Sequence, residues 1–242
     1  MPRFFVPQPL TVGGQTVLDG ADARHIAGAL RMTVGETLTL CDGQGTDYDC
    51  TLIAVERDAV SLTVDAARPN LSEPTLKVTL YMGLPKADKM EWVLQKAVEL
   101  GVIAVVPVVM TRSIARPDAR DADKKRERWQ RIADEAAGQS GRGILPTVEP
   151  ILSWRQAAAR LCSPQTLLCY EKGGQPLGEA VSPAETAVNL VVGPEGGIDP
   201  AEVAAIRNGG GRIVTLGPRI LRCETAPLAA LTVLMERTGN MK

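Results

Sequence analysis

The sequence predicts an α/β protein in two parts, a small β-barrel over residues 1–72 and a parallel sheet flanked by helices over residues 73–242. Two observations carry this division. Short apolar or alternating runs punctuated by turn residues fill the N-terminal part, whereas strands and helices alternate in the rest. Between them, Arg68-Pro69-Asn70-Leu71-Ser72-Glu73-Pro74 reads as a linker, with two prolines bracketing a polar stretch.

In the N-terminal part, Gly13-Gly14, Asp19-Gly20 and Asp42-Gly43 mark turns. The runs ETLTL, YDCTLIAV and AVSLTV between and after them have the period-two or short apolar pattern of strands, and ADARHIAGALRM is a helical insertion. From residue 75 the pattern changes. TLKVTLYMG reads as a strand. Met90, Val93, Leu94, Ala97 and Leu100 then recur at helical spacing, with Gly101 as the stop. VIAVVPVVM is a buried strand interrupted by Pro107, and a polar helix follows near residues 121–139. QTLLCYE, VNLVVG and RIVTLG are three further strands, each ending at a turn. The last helix starts near Thr225, its expected N-cap, and buries Leu228, Leu231, Leu234 and Met235. Such alternation implies a parallel sheet covered on both faces, with ligands bound beyond the carboxyl ends of its strands.

Composition removes several function classes. Of 242 residues 45% are hydrophobic and 23% charged, enough for a sizeable core. No apolar run approaches the ~18 residues needed to cross a bilayer, and the first residues lack the pattern of a secretory signal. Five cysteines (Cys41, Cys50, Cys162, Cys169, Cys223), none at C-x-x-C spacing, argue against a disulfide framework and a thiolate zinc site. His25 is the single histidine, so neither a histidine triad nor a multi-histidine metal site is expected. These features describe a soluble cytoplasmic protein without a metal.

A net charge of −1 seems to speak against a nucleic-acid partner, but it is an average. Residues 1–73 hold five basic and ten acidic side chains, a net of −5, whereas residues 74–242 hold 22 and 18, a net of +4. Residues 112–142 alone carry nine basic and six acidic side chains. Such a run is ordinarily a solvated helix face, so charge alone leaves the partner open. Eight aromatics provide little for a base-stacking platform, so any RNA recognition is expected to rest on arginine contacts to phosphate and on RNA shape.

Three segments can carry chemistry. Gly193-Pro194-Glu195-Gly196-Gly197-Ile198-Asp199 follows a strand and leads into a helix, with Asp199, Pro200 and Glu202 forming an N-terminal capping arrangement. Three glycines in five residues let backbone approach a ligand closely, and Glu195 adds a carboxylate that can orient a substrate or accept a proton. The spacing is neither G-x-G-x-x-G nor a Walker loop, which removes support for hydride transfer and nucleotide hydrolysis. Leu216-Gly217-Pro218-Arg219-Ile220-Leu221-Arg222-Cys223-Glu224-Thr225 places two arginines and a glutamate between a strand and a helix. Arginine forks suit phosphate or base edges, and Glu224 can hold one in place. Thr111-Arg112-Ser113, with Arg128, Arg131, Glu135 and Gln139-Ser140-Gly141-Arg142, forms a polar cluster around the long helix.

These segments, with Arg3-Phe4-Phe5, His25 through Arg31, Gly83-Leu84-Pro85-Lys86 and Lys96-Ala97-Val98-Glu99-Leu100-Gly101-Val102, stand in one order over nearly the whole chain. In that order they resemble the 16S rRNA (uracil-N3)-methyltransferase family of the SPOUT superfamily. The resemblance implies a PUA-like RNA-binding β-barrel over residues 1–72 and a SPOUT methyltransferase domain over residues 73–242, its parallel sheet closed by a trefoil knot. It implies S-adenosylmethionine as cofactor, 16S rRNA of the small ribosomal subunit as partner, and a homodimer. Carried over residue by residue, the expected cofactor site is Leu168, Tyr170, Gly193, Glu195, Gly197, Leu216, Gly217, Ile220, Leu221 and Arg222. The expected RNA contacts are Arg3, Arg24, Arg31, Arg112, Arg128 and Arg142.

Methyl transfer from a sulfonium to uracil N3 requires alignment and the removal of one weakly acidic proton. Glu195 or Glu224 can act as base and Arg222 or Arg112 can stabilise the uracil anion; Arg222 with Glu195 is the favoured pair because both lie on the glycine loops. The competing readings are methylation of another rRNA base or of a ribose 2′-OH, and an RNA-binding assembly factor that has lost catalysis. Intact Glu195, Arg222 and Glu224 argue against such a loss.

Overall fold

The computed structural model describes residues 1–241 and divides into two compact units. The first comprises Met1–Glu73 together with Ala137–Leu145. The division expected from the sequence assigns that second stretch to the C-terminal part. Backbone bonding explains the difference: Gly45 N–H donates to the Gly143 carbonyl, and Leu145 N–H donates to that of Gly43.

The strands of the first unit are β1 (Arg3–Phe5), β2 (Gln15–Asp19), β3 (Thr37–Cys41), β4 (Thr46–Val55) and β5 (Ala59–Pro69), with helix α1 (Gly20–Arg24) widening into a π-helical turn over His25–Ala29. They form one sheet in the order β1-β3-β4-β5-β2, antiparallel except for the parallel β1–β3 pair. Its two edges, β1 and β2, share no ladder, so the expected barrel is an open, curled sheet. Two register shifts between β4 and β5 supply the irregularities that bend such a sheet. Leu38, Leu40, Leu52, Val60 and Leu62 point inward at period two and pack with Ile26 of the helical insertion.

The strands of the second unit are β6 (Lys77–Gly83), β7 (Ala104–Val109), β8 (Thr147–Val148), β9 (Leu152–Ser153), β10 (Thr166–Cys169), β11 (Gln175–Pro176), β12 (Ala187–Val192) and β13 (Arg212–Thr215). Its helices are α2 (Lys89–Glu99), α3 (Ala119–Gln139, whose final residues count with the first unit), α4 (Trp154–Arg160), α5 (Leu177–Ala180), α6 (Pro200–Asn208) and α7 (Ala226–Arg237). All eight strands run parallel in the order β11-β13-β10-β12-β6-β7-β8, with β9 also paired to β7. Tyr81, Val106, Val108, Leu168 and Val191 face a core that includes Ala157 of α4 and Val203 and Ile206 of α6. Leu80, Met82, Leu190 and Val192, alternating with them, are buried as well, and α7 packs on β12.

Pro107 sits inside β7 without breaking it. On the outer edge, Ala104 and Val105 pair with β8 and Val108 and Val109 pair with β9, so the residue without an N–H lies in the gap between two short partners. The last helix starts one residue after Thr225, whose side chain makes no capping bond, and Leu228 is only half-buried. Among the described residues no helix is long and apolar enough to cross a membrane.

Candidate functional site

Strands β12, β10 and β13 are neighbours, and their carboxyl ends open into one cavity of about 480 Å³ within the second unit. Three segments line it, each starting at the last residue of its strand: residues 169–171 from β10, 192–198 from β12, and all of 215–223 but Pro218 from β13. Lys89 and Ala226 complete the wall. The place follows from the fold, since adjacent parallel strands release their chains at one edge, beyond the sheet.

The turn after β12 is built by contact on three sides. A Cβ on Gly83, at the end of β6, would stand 2.5 Å from Pro194 Cδ and 2.6 Å from its nitrogen, so this strand end must be glycine. Gly196 lies against the Arg112 backbone, where an added Cβ would meet the carbonyl oxygen at 3.0 Å. Gly197 adopts φ +71°, which favours glycine, and leads into α6. There Asp199 caps the helix by accepting from Ala201 N–H at 3.0 Å, and Glu202 returns a bond by accepting from Asp199 N–H at 3.0 Å, as the sequence pattern indicates. The buried Glu202 carboxylate also accepts from the Thr111 amide at 2.8 Å, tying the end of β7 to the same helix.

Glu195 accepts from the Lys86 amide at 3.1 Å and pairs with the Lys89 ammonium at 3.2 Å. Glu224 pairs with the same ammonium at 3.2 Å and accepts from the Cys223 thiol at 3.2 Å. Burial pushes the Glu195 carboxyl up, but its own amide, the Lys86 amide and Lys89 together hold it below the usual carboxylate range. The Cys223 thiol, aided by the amide of Glu224 and by Lys89, holds Glu224 low as well. Bonds to the two glutamates push Lys89 up, and burial with the adjoining carboxylates pushes the Cys223 thiol up to about 12. The cluster is therefore two carboxylates, one ammonium and one neutral thiol at neutral pH.

Nine of the ten residues expected at the cofactor site line this cavity. Leu168 does not: its side chain is fully buried in the core, and Cys169, Tyr170 and Glu171 take the lining role beside it. In β10 the side chains alternate, so a one-residue offset moves a group from the wall into the core. Arg222 is exposed on the cavity rim and pairs with no carboxylate among the described residues. Arg112 lies behind the glycine turn, donating to the Gly196 carbonyl at 3.3 Å and pairing with Asp199 at 3.5 Å, and is not part of the lining. Lys89 was not singled out from the sequence. Its place at the first residue of a helix carries no motif, and its partners lie far along the chain.

Among the expected RNA contacts, Arg24 and Arg128 are exposed in surface pairs with Asp58 and Glu91, and Arg31 is exposed at φ +53°. Arg3 and Arg142 are elsewhere. Arg142 is 2% exposed and forms a two-pronged pair with Glu73, at 2.9 and 2.8 Å. Arg3 forms a similar pair with Asp47 at 2.7 and 2.6 Å, and the Asp47 side chain is 1% exposed. Both guanidinium groups hold the first unit together, which corrects their assignment as phosphate contacts.

The lining combines apolar Ile198, Leu216, Ile220 and Leu221 with the carboxylates of Glu171 and Glu195, and Gly217 at φ +101° leaves open space where a Cβ would stand. With Lys89, Arg219 and Arg222 beside these carboxylates, such a cavity offers an apolar surface to a ring system and both signs of charge to the polar ends of a ligand. Comparison with known proteins agrees. Residues 72–235 match the RNA methyltransferase domain and residues 18–65 the RNA methyltransferase PUA domain. A Bacillus subtilis protein named ribosomal RNA small subunit methyltransferase E is 36% identical, over 100% of this chain and 99% of its own length. A protein of the same name from Mycobacterium bovis is 31% identical over 94% of this chain and 88% of its own. The solved Neisseria gonorrhoeae ribosomal RNA small subunit methyltransferase E, bound to S-adenosyl methionine, superposes with a TM-score of 0.89 at 35% identity, over 98% of this chain and 97% of that one. With a family model covering most of its length and a relative matched from end to end, this chain belongs to the RNA methyltransferase family.

Proposed function

We propose that the chain transfers a methyl group from S-adenosylmethionine to N3 of a uridine in 16S rRNA, within the small ribosomal subunit. The observation that carries this reading is the single cavity at the ends of β10, β12 and β13, lined by nine of the ten residues expected of the cofactor site, in a chain whose relatives are named for small-subunit rRNA methylation.

When bound, S-adenosylmethionine supplies an activated methyl on a sulfonium. Leu216 and Leu221 of the cavity wall would hold an apolar part of the group, and the carboxylates of Glu171 and Glu195 would favour its cationic portion. Arg222, free of a carboxylate partner, is the cation suited to stabilise charge developing on the uracil ring. Glu195 and Glu224 are held ionised by Lys89 and the amides around them, which weakens either as a base, so Arg222 bears most of the task of lowering the N3–H pKa and the proton passes to water. Arg24 and Arg31 in the first unit and Arg112 and Arg128 in the second contact RNA phosphates. The enzyme works in the cytoplasm as a homodimer.

Incubating the protein with labelled S-adenosylmethionine and small subunits from cells lacking the modification tests the reading. Label recovered as N3-methyluridine is the expected result. Label in a ribose-methylated or other nucleoside overturns the choice of atom, and the absence of label in any rRNA overturns the activity.

A further inference from the structure

We propose that Lys89 is a positioning residue for the cavity, joining the turn after β12 to the loop after β13 by holding Glu195 and Glu224 on one ammonium. The inference rests on the reading of the cavity as a cofactor site, but the bridge itself is independent of that reading.

Several features converge on this lysine. Its Nζ is 3.2 Å from Glu195 Oε1 and 3.2 Å from Glu224 Oε2; Glu195 lines the cavity, and Glu224 directly follows Cys223, the last lining residue of the loop after β13. Among the described residues no other cation pairs with either glutamate, although Arg219 and Arg222 stand on the same loop. The backbone leading to Lys89 is shaped for the task. Lys86 donates its amide to the same Glu195 Oε1 at 3.1 Å, and Ala87 adopts φ +51°, one of only two left-handed non-glycine residues among those described. L-residues keep that conformation only where their surroundings hold it, and here the bonds on both sides of Ala87 end on one glutamate.

The charge is what the place requires: a cation with several donors serves two carboxylates arriving from different loops, as a lysine does with its compact charge and three rotatable donors. Two glutamates bonded to one nitrogen are close neighbours. Without the ammonium they repel, and either the loops part or one carboxylate takes up a proton. The titratable groups facing Lys89 are Glu195, Glu224 and the Cys223 thiol, 3.9 Å from Nζ. The thiol stays protonated at neutral pH, so it offers Glu224 a hydrogen bond but no compensating charge.

The test compares wild type, Lys89→Met and Lys89→Arg in two measurements. Carbon NMR of labelled glutamate carboxyls, assigned with Glu195→Gln and Glu224→Gln, follows the two ionisations from acid to neutral pH. Calorimetry measures S-adenosylhomocysteine binding to the same proteins. In wild type both carboxyls titrate below the ordinary range of ~4. In Lys89→Met at least one moves above it, binding weakens about tenfold, and affinity gains a pH dependence; Lys89→Arg restores both to near wild type. The proposal is overturned if neither titration moves in Lys89→Met, if its affinity is unchanged, or if Lys89→Arg binds as weakly as Lys89→Met. Wild type that binds no S-adenosylhomocysteine, while the titrations shift as expected, overturns the cofactor reading and upholds the bridge.

Discussion

Each unit of this protein carries a pair of carboxylates served by cations, and the two pairs are built in opposite ways. In the first unit, Asp47 is buried and Glu73 half-buried, and each is gripped by both prongs of an arginine. Asp47 takes both prongs of Arg3, with Arg68 at 3.2 Å and the Asn70 amide at 3.1 Å. Glu73 takes both prongs of Arg142 and the amides of Gly143 and Ile144 at 2.8 and 3.0 Å. In the second unit, Glu195 and Glu224 are partly exposed and share one lysine, while Arg219 and Arg222 remain on the cavity rim without a carboxylate among the described residues. Arginine forks fix architecture in one unit; in the other a point charge poises a site and leaves the forks for a ligand. A polar loop containing arginine and glutamate looks the same in sequence in both cases.

Breaking the first kind of pair has the largest effect. Arg142→Met strands Glu73 without its cation, and urea denaturation is expected to show a loss of about 3 kcal/mol with little change in S-adenosylmethionine affinity of the folded protein. Arg222→Ala reverses that pattern: turnover falls about a hundredfold at saturating substrates, while the urea midpoint stays near wild type. An equal stability loss in both variants would erase the distinction. Gly83→Ala forces Pro194 away from the end of β6 and costs about 1–3 kcal/mol, with weaker cofactor binding as its companion, since the displaced turn lines the cavity.

The smallest effect is in the acid limb. Burial pushes Asp47 and Glu73 up, but Arg3 with Asn70 and Arg142 with two amides outweigh it, so both carboxyls lie below their ordinary values in the folded state. Groups lowered on folding stabilise the protein above their unfolded pKa, and that stability is lost as pH falls through the folded values. Stability is therefore expected to decline below pH ~4 by on the order of 1 kcal/mol per group. Asp47→Asn, less stable at neutral pH, should show a shallower decline in the same urea series. An unchanged slope would remove Asp47 from that limb.

Features set by neighbouring residues were legible in the sequence. The parallel strands, the capping arrangement of Asp199 and Glu202, and the glycine turn at 193–197 follow from local pattern, and they place most of the cavity lining. Features set by distant contacts were not. Lys89 meets Cys223 across 134 positions of sequence, with no spacing to announce it. The fate of Arg3 and Arg142 depended on burial created by Asp47 and Glu73, which composition cannot show. Leu168 lies one residue before the lining, which begins at Cys169, the last residue of β10. The stretch at 137–145 joins the first unit through backbone bonds to residues 43–45, a pairing that no periodicity encodes.

Hydrogen exchange with and without S-adenosylmethionine tests the central claim, that three loops at the strand ends form the cofactor site. Protection is expected in residues 169–171, 192–198 and 215–223, with the sheet of the first unit unchanged. Protection that spares these three loops, or that falls on the first unit instead, would contradict it.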